Sequence, residues 1–378
     1  MKPTTPSAQL ALDTIMQKHV KGIPSWIINP MEHSILERLA EVEPGEYRKN
    51  PEPVYLKMLI NMGTCLNDQF IPENPLCMGD KGYEGSSHGA TTGSEEIMCD
   101  GMVIDSPEAM VEHLEKFEFQ RLKAAAENFD IEKQVRHIID MEASIQERIG
   151  PTMLKSGYGF IGQPYFRYGQ YGYVNYFSAY ALYPDVIEKD FSLQADLALK
   201  NNIAAARAYK EADLAPLYRL DHDMADSRGT LVHIDTLDKM WFPHVARCLE
   251  PMLKTNVKMI WHCDGNLSQM VPRLLDCGLR GFQGFQYEDG MDYEQICKMK
   301  TRDGDDLFII GGVSVTRTLP NGTPTDVKRE IDWLVKYGPK TGLVLGCTSS
   351  IAPGVPWENI KMLKEGFAYY REHGRGNG

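Results

Sequence analysis

Two hydrophobic patterns alternate along the chain from about residue 55. Short apolar runs bounded by Gly, Asp or Pro read as buried strands: "YGFIGQP", "ADLAPLYRLD", "VKMIWHCDG", "LRGFQGFQ", "DLFIIGGVS" and "TGLVLGCTSS". Between them lie longer stretches with apolar residues at helical spacing, among them "YPDVIEKDFSLQADLALKNNIAAARAYKEA", "DTLDKMWFPHVARCLEPMLKTN", "TPTDVKREIDWLVKYG" and "PWENIKMLKEGFAYYREHG". Upstream, "EPVYLKMLINMGTCL" and "SPEAMVEHLEKFEFQRLKAAAENF" have the same helical spacing, and Ser106 offers the second an N-cap without a Glu or Gln three residues on. A β/α alternation over about 200 residues requires a parallel sheet. A single (β/α)8 TIM barrel is preferred to a doubly wound sheet, because no Gly-rich dinucleotide loop follows an early strand. With no repeat and no Pro- or Gly/Ser-rich linker, the expected division is an N-terminal helical extension, residues 1–54, and a barrel domain, residues 55–378.

In such barrels the reactive groups stand where strands end and βα loops begin. Polar residues cluster at those places: Asp221, His222 and Asp223; His262, Cys263 and Asp264; Glu288 and Asp289; Ser314; and Cys347, Thr348 and Ser349. Side chains alternate along a strand, so His262 and Asp264 are expected on one face and Cys263 on the other. His262 and Cys347, with a carboxylate from Asp264 or Glu288, offer a zinc ion the three or four ligands it takes. No CxxC or HExxH fixes two ligands locally, and His262 as a hydrogen-bonded histidine, Cys347 as a buried thiol, and Asp221 and Asp223 as caps of loop N–H groups are the competing readings. The tyrosines at 158, 165, 168, 171, 173 and 176 are too dense for one core face. Some of them, Tyr165, Tyr168 and Tyr173 first, are expected to line a pocket with Ser314, as an aromatic wall suits an aryl ether or a corrin face.

Composition narrows the function classes. Apolar residues make up 43% and charged residues 24% of the 378, which fits a globular protein and not a disordered one. A formal net charge of −12 argues against wrapping nucleic acid. The N-terminal stretch lacks a signal-peptide core, and no segment approaches the ~18 apolar residues needed to span a membrane, so a cytoplasmic protein is expected. The eight cysteines, at 65, 77, 99, 248, 263, 277, 297 and 347, show no short paired spacing and read mostly as core thiols.

Five ordered segments between residues 155 and 373 resemble the uroporphyrinogen decarboxylase superfamily, especially its corrinoid-linked methyltransferase branch. They are "IGQPYFRYGQYGY", "DHDMADSRGTLVHIDTLDKMWFPHVARCLEPM", the pair "WHCDGNL" and "GFQGFQYEDGMD", "IIGGVSVTRTLPNGTPTDVKREI" and "LVLGCTSSIAPGVPWENIKML". The resemblance implies a TIM barrel with zinc at its mouth, held by a His-x-Cys pair and a later Cys, with an acidic residue nearby. Carried onto this chain, the His falls on His262, the later Cys on Cys347 and the acidic residue on Glu288, whereas the first Cys position is Asp264. That departure makes a harder, less thiolate-rich site. The decarboxylase branch fits less well. Its paired amino-terminal arginines have only Glu37-Arg38 as a counterpart, and its late histidine falls on Cys347.

The expected function is therefore a zinc-dependent methyltransferase, moving a methyl group between a small methyl ether, alcohol, amine or thiol and a corrinoid (cobalamin) carried by a partner protein. Asp221, Asp223 and Asp264 are its expected catalytic carboxylates. The alternatives are a metal-free decarboxylase of a smaller acid, using strand-end Asp and His as acid and base, or a binding barrel without chemistry.

Overall fold

The computed structural model describes residues 3–27, 29–73 and 96–376; Cys77 lies outside them. Apolar runs form the central sheet: β1 (Leu66–Asn67), β2 (Leu154–Gly157), β3 (Ala215–Asp221), β4 (Lys258–His262), β5 (Gly281–Gln283), β6 (Phe308–Val313) and β7 (Leu343–Cys347). All seven pair in parallel and in chain order, so every strand ends at the same edge of the sheet. The edge strands are linked by one short stretch. Trp26 N–H donates to Leu345 in β7, Leu345 N–H to Pro24, and Cys65 N–H, just before β1, to Ser25.

Alternation gives the curled sheet two apolar faces. Leu66, Leu154, Leu217, Ile260, Phe308, Ile310 and Val344 point inward with Trp26, and Ala8, Ala11 and Ile15 of helix α1 (Pro6–Ile15) join the same cluster. Met259, Trp261, Ile309, Leu343 and Leu345 point outward into the layer of helices. That layer includes α2 (Pro184–Ala212), α3 (Phe242–Leu253), α4 (Pro324–Tyr337) and α5 (Trp357–His373). Thr323 and Asp326 form a reciprocal capping box that starts α4. The stretch expected as an N-terminal extension holds α1 and the helix His33–Ala40, with the sheet-linking Pro24–Trp26 between them. Among the described residues no helix is long and apolar enough to cross a membrane.

Two expected elements differ. "YGFIGQP" is not a strand; the strand lies just before it, at Leu154–Gly157. Gly159 has φ +82°, and the Phe160 and Ile161 N–H groups both donate to the Tyr218 hydroxyl, at 2.7 and 2.6 Å, instead of to a neighbouring strand. The helix expected to run through Leu66 stops at Met62, where Gly63 turns with φ +72° and frees the chain to enter β1. Ser106 caps its helix as expected, its Oγ accepting from Ala109 N–H at 3.1 Å, but Leu114–Glu118 interrupts that helix with a π turn.

Candidate functional site

The strand ends bring Asp221, Asp223 and His262 together: one ligand atom from each lies within 4.8 Å of the others. Strand parity explains the grouping. Leu217, Arg219 and Asp221 are inward positions of β3, and Ile260, His262 and Asp264 are the matching positions along β4, with Asp221 directly paired to His262 in the register.

His262 is oriented from behind. Its Nδ1 lies 3.2 Å from the Gln283 carbonyl, an arrangement that places the proton on Nδ1 and leaves the Nε2 lone pair toward the mouth. The Gln283 side chain donates to the carbonyls of Cys347 and Thr348, at 3.1 and 3.3 Å, which ties β5 to the end of β7. Gly284 permits this closeness: at φ +66°, a Cβ there would sit 2.2 Å from the Thr348 oxygen.

Asp221 is held by a buried polar chain. Trp26 Nε1–H donates to Asp68 at 2.7 Å, Arg219 Nε donates to the other Asp68 oxygen at 2.5 Å, and Arg219 Nη1 donates to Asp221 Oδ2 at 2.7 Å. Tyr158 O–H donates to that same Oδ2 at 3.1 Å, so Oδ1 of Asp221 is left for other partners. Burial pushes the Asp221 carboxyl up, but His262 and Arg219 outweigh it and hold the group below the ordinary aspartate range. Asp264 goes the other way. Burial raises it, His262 offsets part of that, and the Asp223 charge raises it further. Its Oδ2 accepts from Ser349 Oγ at 3.3 Å, whereas the buried Oδ1 has no hydrogen-bond partner and lies 3.8 Å from His262 Nε2. Asp223 accepts from Asp264 N–H at 3.0 Å, which locks the two strand ends in register.

The remaining expected residues stand apart from this group. Cys347 has the outward parity of Leu343 and Leu345 and is fully buried beneath the helices, where burial and the Glu330 carboxylate push its thiol up. Cys263 is likewise outward, as alternation requires, and its sulfur accepts from Met224 N–H. Glu288 accepts from Ser314 Oγ at 2.5 Å and from Thr316, so Ser314, fully buried, serves to hold Glu288. The tyrosines divide. Tyr171 and Tyr176 are buried in the core, whereas Tyr165, Tyr168 and Tyr173 stand at the rim: Tyr168 donates to the Asp223 carbonyl, stacks on Tyr173 at 4.8 Å, and Tyr165 meets His222 edge-on.

Asp68 and Arg219 were not singled out by the sequence reading. The available signal was an arginine inside the apolar run "APLYRLD", at the same parity as Asp221. Such a buried charge needs a partner, but nothing local in the sequence names Asp68, 151 positions away.

Comparison with known proteins agrees with this architecture. Residues 222–367 match the family model described as uroporphyrinogen decarboxylase (URO-D). Among solved structures, a methyltransferase from Methanosarcina mazei is similar over 96% of this chain and 98% of its own, with a TM-score of 0.57 and 16% identity. A B12-independent methionine synthase from Shewanella sp. W3-18-1, solved with selenomethionine, is similar over 47% of this chain and 56% of its own, with a TM-score of 0.33 and 12% identity. No curated protein matches the sequence. The resemblance carried by the strand-end motifs is thereby borne out over residues 222–367, which are similar to the uroporphyrinogen decarboxylase family model.

Proposed function

We propose that this chain is a metal-dependent methyltransferase of the uroporphyrinogen decarboxylase superfamily, working on a closed eight-stave barrel in which Pro24–Trp26 fills the gap between β1 and β7. The observation that carries the reading is the convergence of Asp221, Asp223 and His262 at the strand ends. Their chemistry fits a divalent ion: two carboxylates and an imidazole whose far nitrogen is already engaged by a carbonyl, with the unpartnered Asp264 Oδ1 beside them. Zinc is the first candidate, although an oxygen-rich set also suits harder metals. A bound zinc would act as a Lewis acid on the ether, alcohol, amine or thiol heteroatom of the substrate.

The protein's own groups do the rest. Arg219 and Tyr158 fix Asp221 through one oxygen, keeping it ionised and its other oxygen available. Asp264, whose carboxyl burial raises above the ordinary aspartate range, lies 3.8 Å from His262 and is placed to take part in proton transfer to a departing heteroatom. Tyr165, Tyr168 and Tyr173 offer an aromatic rim for an apolar substrate or the flat face of a corrinoid carried by a partner protein. Metal analysis of the purified protein, followed by demethylation assays with methyl ethers, methanol and methylamines in the presence of a corrinoid carrier, tests the proposal. About one metal ion per chain is expected. A protein that neither contains nor takes up a divalent ion would favour a second reading, in which Asp264 and His262, 3.8 Å apart, act as a metal-free acid–base pair on a small acid.

A further inference from the structure

A second cleft opens at the opposite end of the sheet. Ile23, just before the Pro24–Trp26 link, and Leu343, the first residue of β7, both line it, so it lies at the strand beginnings and shares no residue with the His262 group. Its volume is about 590 Å3.

The lining is basic in an acidic protein. Lys21, Lys340, His373 and Arg375 face the cleft and none of its described lining residues is acidic, although the chain as a whole carries a net charge of −12. Lys21 and Lys340 are exposed and form no ion pair among the described residues. Arg375 is anchored by donating to the carbonyls of Val335, Gly338 and Pro339 at the end of α4, which brings a fixed positive charge to the wall. Thr14, only 2% exposed, lines the same cleft, and its Oγ1 has no hydrogen-bond partner. At the rim Tyr369, half-exposed, stacks on His373 with ring centroids 4.6 Å apart and planes 18° from parallel.

We propose that this cleft binds a small organic phosphate bearing a planar ring, a nucleoside phosphate in class, with its phosphates between Lys21 and Lys340 and its ring on the Tyr369–His373 platform. Two exposed ammonium groups are suited to a phosphate as point charges, and the paired rings present a π face of the kind on which bases stack.

The test is calorimetric titration of the full-length protein with ADP and, separately, with inorganic pyrophosphate. Saturable ADP binding is expected, weakened at least about tenfold in a Lys21→Ala/Lys340→Ala double variant, since both ammonium charges that face the phosphates are lost. Tyr369→Ala should weaken ADP about fivefold or more while leaving pyrophosphate unchanged, because only the base stacks. All variants should keep the parent melting temperature and metal content, as these side chains lie at or near the surface, away from Asp221 and His262. Absence of saturable ADP binding, or ADP affinity unchanged in the double variant, would overturn the proposal. So would pyrophosphate binding as tightly as ADP, which would show a bare anion patch without recognition of the organic part.

Discussion

Asp221 and His222 are neighbours in sequence, as are His262 and Cys263, yet the two members of each pair live in different environments. Asp221 and His262 face inward at the strand ends, beside a buried guanidinium and each other. His222 and Cys263 face outward among aromatic rings and helices: His222 accepts from Phe166 N–H through Nε2, and burial pulls it down to about 4 against the opposing charge of Asp221. The same residue types, a histidine on each side, are thus set to different tasks by strand parity alone. Chemical potential in the sequence is not enough; the face decides whether a donor is offered to a ligand or spent on packing.

The comparison breaks most severely if the inner face loses its buried charge. Arg219→Leu takes the guanidinium from both Asp68 and Asp221, and urea unfolding should show a loss of about 3–5 kcal/mol. Next comes the histidine contrast. His262→Ala should lower metal affinity by more than about 100-fold, beyond what removal of an outer partner usually costs, whereas His222→Phe should leave metal content unchanged, both read by equilibrium dialysis with zinc.

The outer face has its own signature in Glu330, on α4. Burial raises its carboxyl to about 7, opposed only by the Ser314 N–H that it accepts. An unfolded glutamate titrates near about 4.3, so between these values the folded state binds more protons. The stability this group allows is therefore full below about 4.3 and lost as pH rises through about 7. Glu330→Gln should be more stable than the parent by about 1–3 kcal/mol at pH 8, with the difference vanishing near pH 4. Smaller still, Cys347→Ala should cost about 1–2 kcal/mol in unfolding free energy through the cavity left under the helices, with metal content unchanged.

Much of this was legible from periodicity. Apolar runs named five of the seven strands to within a few residues, and alternation alone separated His262 and Asp264 from Cys263. The same rule, applied to "TGLVLGC", counts Cys347 outward with Leu343 and Leu345; its place at a strand end, and then the resemblance, suggested it as a ligand, not its parity. "YGFIGQP" reads as a strand by composition because its apolar residues are buried, but their N–H groups are satisfied by a tyrosine hydroxyl that no local pattern announces. Asp68 and Arg219 escaped for a related reason. Their contact joins β3 to the end of β1 on the inner face of the sheet, and pairings at that separation exist only once the sheet has curled.

The central claim, that a metal is held by inner-face carboxylates and an imidazole, is tested most directly by X-ray absorption at the zinc edge on the zinc-loaded protein. The account predicts a first shell of nitrogen and oxygen at about 2.0–2.2 Å with no sulfur contribution. A sulfur shell at about 2.3 Å would place Cys347 or Cys263 on the metal and contradict it.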